Sequence, residues 1–265
     1  MTDSLWFLGT GASVATAERD NTALLVASAG DMVLIDCPGG LVRRLRLLGF
    51  SPDQIGAVLI THTHTDHVYG LPSLIHSLMR IEKRLPVFGS RESIEFCRRL
   101  LDVFHLLDDK VLCRLEFQIL EEGAAFDPVR GMSAWTAAVR HRPSSLAFGL
   151  RLEGSRRELV YSGDSSPHAP LFERAGSCDL LIHDCTVPSR LLEANPTLPD
   201  LHTDALSLGR LAEEAGVSRL APVHFAGHLG FSAREIEREI RRFYTGELII
   251  PRDMMRLPIG SEVQT

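Results

Sequence analysis

Residues 57–70, Ala57-Val-Leu-Ile-Thr-His-Thr-His-Thr-Asp-His-Val-Tyr-Gly70, constrain this chain more than any other stretch. The apolar run Ala57 to Ile60 reads as a buried strand. It ends in His62, His64, Asp66 and His67, packed into six positions. His62 and His64 are two apart, so in an extended segment both rings point to the same side. Asp66 and His67 follow where the chain can turn into a helix. Three imidazoles and a carboxylate converging off a strand end make a first-row metal site, with zinc the natural occupant. A single histidine is usually a core or surface residue. Four ligand-type groups left unpaired at a strand end would carry a large desolvation cost.

Three more ligand-type side chains follow apolar runs that read as strands. Met132–Val139 leads to His141, Glu158–Ser162 leads to Gly163-Asp164, and Arg219–Val223 leads to His224. Loops at strand ends are where a rigid scaffold presents chemistry. With His62, His64, Asp66 and His67 these make seven candidate ligands, five His and two Asp. One catalytic zinc takes about three protein ligands and an open position. Seven therefore implies two metals sharing a bridging carboxylate.

The remaining pattern predicts strands over Leu5–Leu8, Thr22–Ala27, Met32–Asp36, Leu85–Phe88, Leu115–Leu120, Ala147–Glu153, Asp179–His183 and Glu247–Ile250. It predicts helices over Leu41–Leu48, Leu71–Met79, Arg91–Phe104 (capped by Ser90), Thr203–Ala215 and Ala233–Tyr244 (capping box Ser232/Glu235), and a short turn opened by Ser51-Pro52. Gly9-Thr-Gly-Ala-Ser13 reads as a tight turn, without the glycine and lysine that a phosphate-binding loop needs. No linker or low-complexity segment interrupts residues 1–265, so one domain is expected. Two strand-rich halves, each followed by helices, predict two sheets packed face to face with helices outside, an α/β sandwich.

The net charge of −6 gives no chain-wide basic field for nucleic acid, although a local patch suffices for an RNA substrate. Five scattered cysteines with no C-x-x-C pair signal neither a disulfide framework nor a zinc ribbon. A reducing compartment follows. No signal-peptide pattern opens the sequence, and no apolar run approaches the ~20 residues of a membrane helix, so the expectation is a cytoplasmic protein without membrane contact.

The string His62-Thr-His-Thr-Asp-His67 resembles the HxHxDH signature of the metallo-β-lactamase superfamily, and the likeness extends from Gly9-Thr-Gly11 to His224. It implies an αββα sandwich of two mixed sheets. It also implies that His62, His64 and His141 hold one divalent ion, that Asp66, His67 and His224 hold a second, and that Asp164 bridges them. Zinc is the expected metal, with manganese or iron as alternatives. His202-Thr203 and Asp184, in Leu180-Leu-Ile-His-Asp184, resemble the ribonuclease Z branch, where such a histidine is catalytic and a carboxylate, usually Glu, orients it. Leu34-Ile-Asp-Cys-Pro-Gly-Gly40 is similar to the same branch. Two features differ from it. The interval between His141 and Asp164 holds only a hairpin instead of a long tRNA-gripping arm, and Phe225-Ala-Gly-His228 follows His224. Both speak against tRNA as the substrate, and the arm-less cyclic phosphodiesterases, which use a comparable catalytic histidine, fit this length better.

The resemblance therefore implies a dinuclear hydrolase in which a metal-activated water attacks a small, cyclic or acyclic phosphodiester, with Asp66, His202 and Asp184 as catalytic residues. Processing of tRNA 3′ ends, or lactone, thioester or aryl sulfate hydrolysis, are the alternative activities. Relatives of this kind are often homodimers, which makes a homodimer one candidate assembly and leaves the oligomeric state open. His76, His105, His168 and His183 read as packing or solvated residues, as do the five cysteines. His228, four residues past His224 in a Gly-rich loop, reads as either a structural loop residue or a substrate contact. Arg140 and Arg142 flank His141, where they either bind phosphate or are solvated. The Glu/Arg helix Arg234–Arg242 reads as a salt-bridged exposed face.

Overall fold

The structure is a computed structural model that describes residues 3–260. Met1, Thr2 and residues 261–265, the ends of the expected 1–265 domain, lie outside the described residues. Six strands build most of one sheet: β1 (Ser4–Gly9), β2 (Ala23–Ser28), β3 (Asp31–Ile35), β4 (Ala57–Ile60), β5 (Lys83–Gly89) and β6 (Cys113–Ile119). The other sheet takes β7 (Ala125–Val129), β8 (Met132–Ala138), β9 (Leu146–Leu152), β10 (Glu158–Tyr161), β11 (Leu180–Asp184), β12 (Arg219–Val223) and β13 (Glu247–Leu248). The last strand, β14 (Met255–Pro258), returns to the first sheet and pairs antiparallel with β1. Both sheets are mixed, with orders β14-β1-β2-β3-β4-β5-β6 and β13-β12-β11-β10-β9-β8-β7. Pairing is parallel from β3 to β6 and from β10 to β13.

The strands alternate between two buried environments, which is why their sequences are continuously apolar. In β4, Ala57 and Leu59 face the space between the sheets, while Val58 and Ile60 face an outer layer of helices. β11 repeats the pattern, with Leu180 and Ile182 inward and Leu181 outward. The first sheet is covered by α1 (Leu41–Leu47), α2 (Thr65–Val68), α3 (Leu71–Leu78) and α4 (Arg91–Val103). The second is covered by α5 (Ala169–Ala175), α7 (Ala205–Glu214) and α8 (Ala233–Ile240), while α6 (Ser189–Glu193) packs on a small separate cluster around Val187. Each fully buried Leu or Val contributes about 1.5–3 kcal/mol of transfer free energy. Both sheets and both helical layers agree with the sandwich expected from sequence.

As expected, the chain turns into a helix at Asp66 and His67; this single turn, α2, ends before Gly70, and α3 follows it. A side chain at Gly70 would fall 1.9 Å from Pro38 O, so only glycine lets the backbones approach. Several details differ. α7 begins after Asp204, whose side chain caps Leu206 N and Ser207 N; Thr203 instead donates to Ser165 O. α8 stops at Ile240, short of Tyr244. The strand predicted over Glu247–Ile250 shrinks to two residues, and β7, β14, α5 and α6 were not foreseen. No helix among the described residues is long and apolar enough to cross a membrane.

Candidate metal centre

The functional side chains collect where strands end. Asp36 follows β3, and Thr61 and His62 follow β4. Asp164 follows β10, Asp184 closes β11, and His224 follows β12. Asp36 (φ 61°) and His224 (φ 67°) both hold left-handed backbone conformations. Such a conformation costs a non-glycine residue on the order of 1–3 kcal/mol, and the surrounding fold must impose it.

All seven expected ligands are brought together. His62, His64 and His141 form a ring of three imidazoles, with centroids 4.7–4.8 Å apart. His64 Nδ1 lies 3.0 Å from His141 Nε2. Beside them, Asp66 Oδ2 stands 3.4 Å from both His67 Nε2 and His224 Nε2. Asp164 lies between the groups. Its Oδ1 is 3.3 Å from His67 Nε2, and its Oδ2 is 3.3 Å from His224 Nε2 and 3.7 Å from His62 and His141 Nε2. The atoms of His62, His64, His141 and Asp164 lie within 4.8 Å of one another, as do those of Asp66, His67 and His224. Asp164, His202 and His224 satisfy the same criterion, so His202 stands close to the second group.

A metal fits these residues on chemical grounds. His62 Nε2, His67 Nε2 and Asp164 Oδ1 are buried and make no well-aligned hydrogen bond among the described residues, His67 and Asp164 only facing each other as an ion pair at 3.3 Å. Buried polar atoms without partners are costly. An N/O donor set of histidine and aspartate suits a divalent first-row ion.

The backs of the rings are wired. Thr61 Oγ1 contacts both Asp36 oxygens, at 2.9 and 3.0 Å, and His62 Nδ1 at 3.0 Å. A carboxylate only accepts, so the hydroxyl donates to Asp36 and receives the His62 Nδ1–H. That fixes the tautomer and leaves Nε2 facing the cluster. Asp36 also accepts from His67 Nδ1 at 2.8 Å. On the other side, Thr186 donates to Asp184 Oδ1 at 2.7 Å and lies 3.0 Å from His224 Nδ1. His202 Nδ1 donates to Asp184 Oδ2 at 2.8 Å, so the shorter aspartate reaches the histidine it was expected to orient. His141 Nδ1 donates to Leu201 O at 2.9 Å.

Electrostatics divide the histidines. Burial, with the neighbouring imidazoles, holds His62, His64 and His141 below the ordinary histidine range, so they are neutral and ready to ligate. Burial opposes charge on His224 as well, but Asp164, Asp184 and Asp66 outweigh it and push it up to about 10. His67 is raised in the same way by Asp164 and Asp36 against its burial. Asp66, Asp164 and Asp184 are held well below the carboxylate range, because the charged and hydrogen-bonded histidines beside them overcome burial. Protons on His67 and His224 balance the carboxylates, a task that a bound cation would take over.

A cavity of about 570 Å³ opens over the cluster, bordered by Ser13, Asn21, Asp66, Tyr69, His202 and His224. Asp36, Thr61, Thr186 and Tyr69 carried no assigned role in the sequence reading. The pairs Thr61-His62 and Asp184-Cys-Thr186 were the available signal. His183 is buried against the Phe172 ring with Nδ1 bonded to Asp184 O, away from the cluster. His228 sits in a short turn (Gly227–Leu229) and does not line the cavity. The Gly9-Thr-Gly11 turn pairs with Asn21 and Phe225, and a side chain at Gly9 would fall 2.0 Å from Asn21 O.

Known proteins resemble this chain along nearly its whole length. The pattern of the family described as "Anti-Pycsar protein Apyc1" matches residues 4–203. A "Ribonuclease Z" of Pseudomonas putida (strain W619) is 29% identical over 97% of this chain and 97% of its own. That alignment runs over 311 positions against the 265 residues here, so the relative carries insertions that this chain lacks. Among solved structures, the metallo-β-lactamase fold protein YhfI from Bacillus subtilis superposes with a TM-score of 0.81, at 20% identity over 97% of this chain and 99% of that one. A diphosphatase of the PhnP family superposes with a TM-score of 0.71, at 19% identity over 97% and 98%.

Proposed function

Because the chain belongs to the anti-Pycsar protein Apyc1 family, on the metallo-β-lactamase fold, we propose that it is a metal-dependent phosphodiesterase with two divalent ions, acting on a small phosphodiester, cyclic ones included. The observation that carries this reading is His202, held by Asp184 at 2.8 Å beside the His/Asp cluster and facing the same cavity.

His62, His64 and His141 would hold one ion, Asp66, His67 and His224 the other, and Asp164 would touch both. Two such ions, zinc in our proposal and manganese or iron as alternatives, would supply Lewis acidity, lowering the pKa of a water and offsetting charge on the phosphoryl oxygens. The protein supplies the rest. Asp66, open to the cavity, accepts a hydrogen bond from the attacking water and keeps its lone pair turned toward phosphorus. Asp184 binds the His202 Nδ1–H and fixes the ring. His202 Nε2 then delivers a proton to the leaving oxygen as the P–O bond breaks. General acid help of this kind is worth about 10²–10⁴-fold.

The small-substrate reading is supported by the brief connection between β9 and β10, residues 153–157, and by the insertions present only in the ribonuclease Z relative. Cleavage at the 3′ end of tRNA precursors is the second reading, favoured by 29% identity to that relative over 97% of both chains. A cytoplasmic, homodimeric enzyme completes the proposal, and five free, buried cysteines support the reducing location. The test is a side-by-side assay of the zinc-loaded protein on a chromogenic bis-aryl phosphate, a cyclic nucleoside monophosphate, a tRNA precursor, a lactone, a thioester and an aryl sulfate. Turnover of the first two above the others is expected. Inertness towards every diester would overturn the reading.

A further inference from the structure

The residues lining the cavity over the metal centre include no lysine or arginine among the described residues. A phosphodiester is an anion, so a fixed cation at the rim would matter. Arg142 lies beside His64, one of the residues that line the cavity. Its Nη1 lies 3.4 Å from His64 Nε2, and its Nη2 lies 3.8 Å from Glu92 Oε1. Its side chain is 46% exposed. Its backbone is fixed. Arg142 N donates to Ser145 Oγ, Ser145 N donates back to Arg142 O, and Leu146 N ties the turn to Thr61 O beside His62. Ser144 Oγ donates to Glu92, so the same carboxylate holds both the turn and the guanidinium.

The contact between Arg142 and His64 is chemically incomplete. His64 Nδ1 faces His141 Nε2 at 3.0 Å, on the side where the three imidazoles converge. A ring that uses its Nδ1 lone pair there carries its proton on Nε2. Arginine has donors only. With His64 in its ligating form, two N–H groups therefore point at each other across 3.4 Å, and neither satisfies the other. An acceptor placed between them satisfies both, and an anionic oxygen does so best.

We propose that Arg142 is the substrate-anion arm of this site, its guanidinium taking a non-bridging oxygen of the phosphodiester together with His64 Nε2–H. This rests on the phosphodiesterase reading above. Glu92 is the competing acceptor that holds the arm when the site is empty. Arginine suits the role through its permanent charge and its fork of donors, which matches phosphate.

The experiment compares wild type, Arg142→Ala, Arg142→Lys and Glu92→Gln, all zinc-loaded. It measures zinc content, steady-state kinetics on the bis-aryl phosphate, and calorimetric binding of inorganic phosphate. Arg142→Ala should raise KM and weaken phosphate about tenfold, with kcat and zinc content little changed. Arg142→Lys should fall between it and wild type. Glu92→Gln frees the arm, so it should tighten phosphate about two- to fivefold, and it serves as the test if the alanine variant does not fold. Unchanged KM and phosphate binding in Arg142→Ala would overturn the proposal while the phosphodiesterase reading stands. Loss of zinc in that variant would also overturn it, since Arg142 would then be supporting a ligand. If wild type cleaves no diester, the phosphodiesterase reading falls, and the phosphate titration still decides whether Arg142 binds the anion.

Discussion

Asp36 and Asp184 stand at matching places in the two sheets, and the bonding around them is nearly the same. Each is a fully buried carboxylate at a strand end. Each accepts from a threonine hydroxyl that meets a ring nitrogen of a candidate ligand, Thr61 with His62 in one case and Thr186 with His224 in the other. Each also binds a second histidine directly at 2.8 Å, His67 or His202. The difference lies at the far nitrogen of that second ring. His67 is sealed, with no exposure, and its Nε2 points at Asp66 and Asp164. His202 keeps 12% of its side chain exposed and borders the cavity. In the proposed reading, the same carboxylate–imidazole pair would support a metal ligand where it is closed in, and would move a proton where solvent and substrate can reach it.

The comparison can be broken or sharpened by substitution. The largest expected effect is on turnover. His202→Ala should lower kcat by about 10²–10⁴-fold and leave metal content unchanged by elemental analysis. Lost metal would make the two sides alike and remove His202 from its proposed role. Asp36→Ala should act on the other axis. It uncovers a buried histidine and hydroxyl, so denaturant unfolding should show a loss of about 3–5 kcal/mol, with less bound metal. The threonines come next. Thr61→Val and Thr186→Val should each cost about 10–100-fold in zinc affinity, measured by competition with a chromogenic chelator. A marked inequality between them would show that the wiring is not equivalent. The last effect is with pH. His224 is pushed up to about 10 by its three aspartates against burial, and a cation must displace that proton. Zinc affinity should therefore climb as pH rises from neutrality towards 10, by about tenfold per unit for each proton displaced, and then level off. A flat profile would mean that His224 is already neutral in the ion-free protein.

Much of this was readable because the informative residues are adjacent or follow strong strand signals. Four ligand-type residues share six positions, and doubly buried strands such as β4 and β11 are apolar throughout. His202 and Asp184 stood out through likeness to a known pattern, not through spacing. The support behind the ligands was harder to see. Asp36 after a strand looks like any turn aspartate, and only the packing of β3 beside β4 brings it to Thr61 and His67. β14 is four partly exposed residues ending in Pro258, and β7 contains Pro128. Proline speaks against a strand unless it sits at an edge, and both of these are edge strands.

The pairing of β14 with β1 has a bearing on how the polypeptide matures. Ser4–Gly9 leaves the ribosome well ahead of residues 255–258 and is buried at every position, yet one of its flanks is covered by those later residues. Throughout synthesis that flank offers unpaired amides and carbonyls to any neighbouring nascent chain. Chaperone engagement of the early segment, or slow growth of the culture during overproduction, should therefore raise the soluble yield.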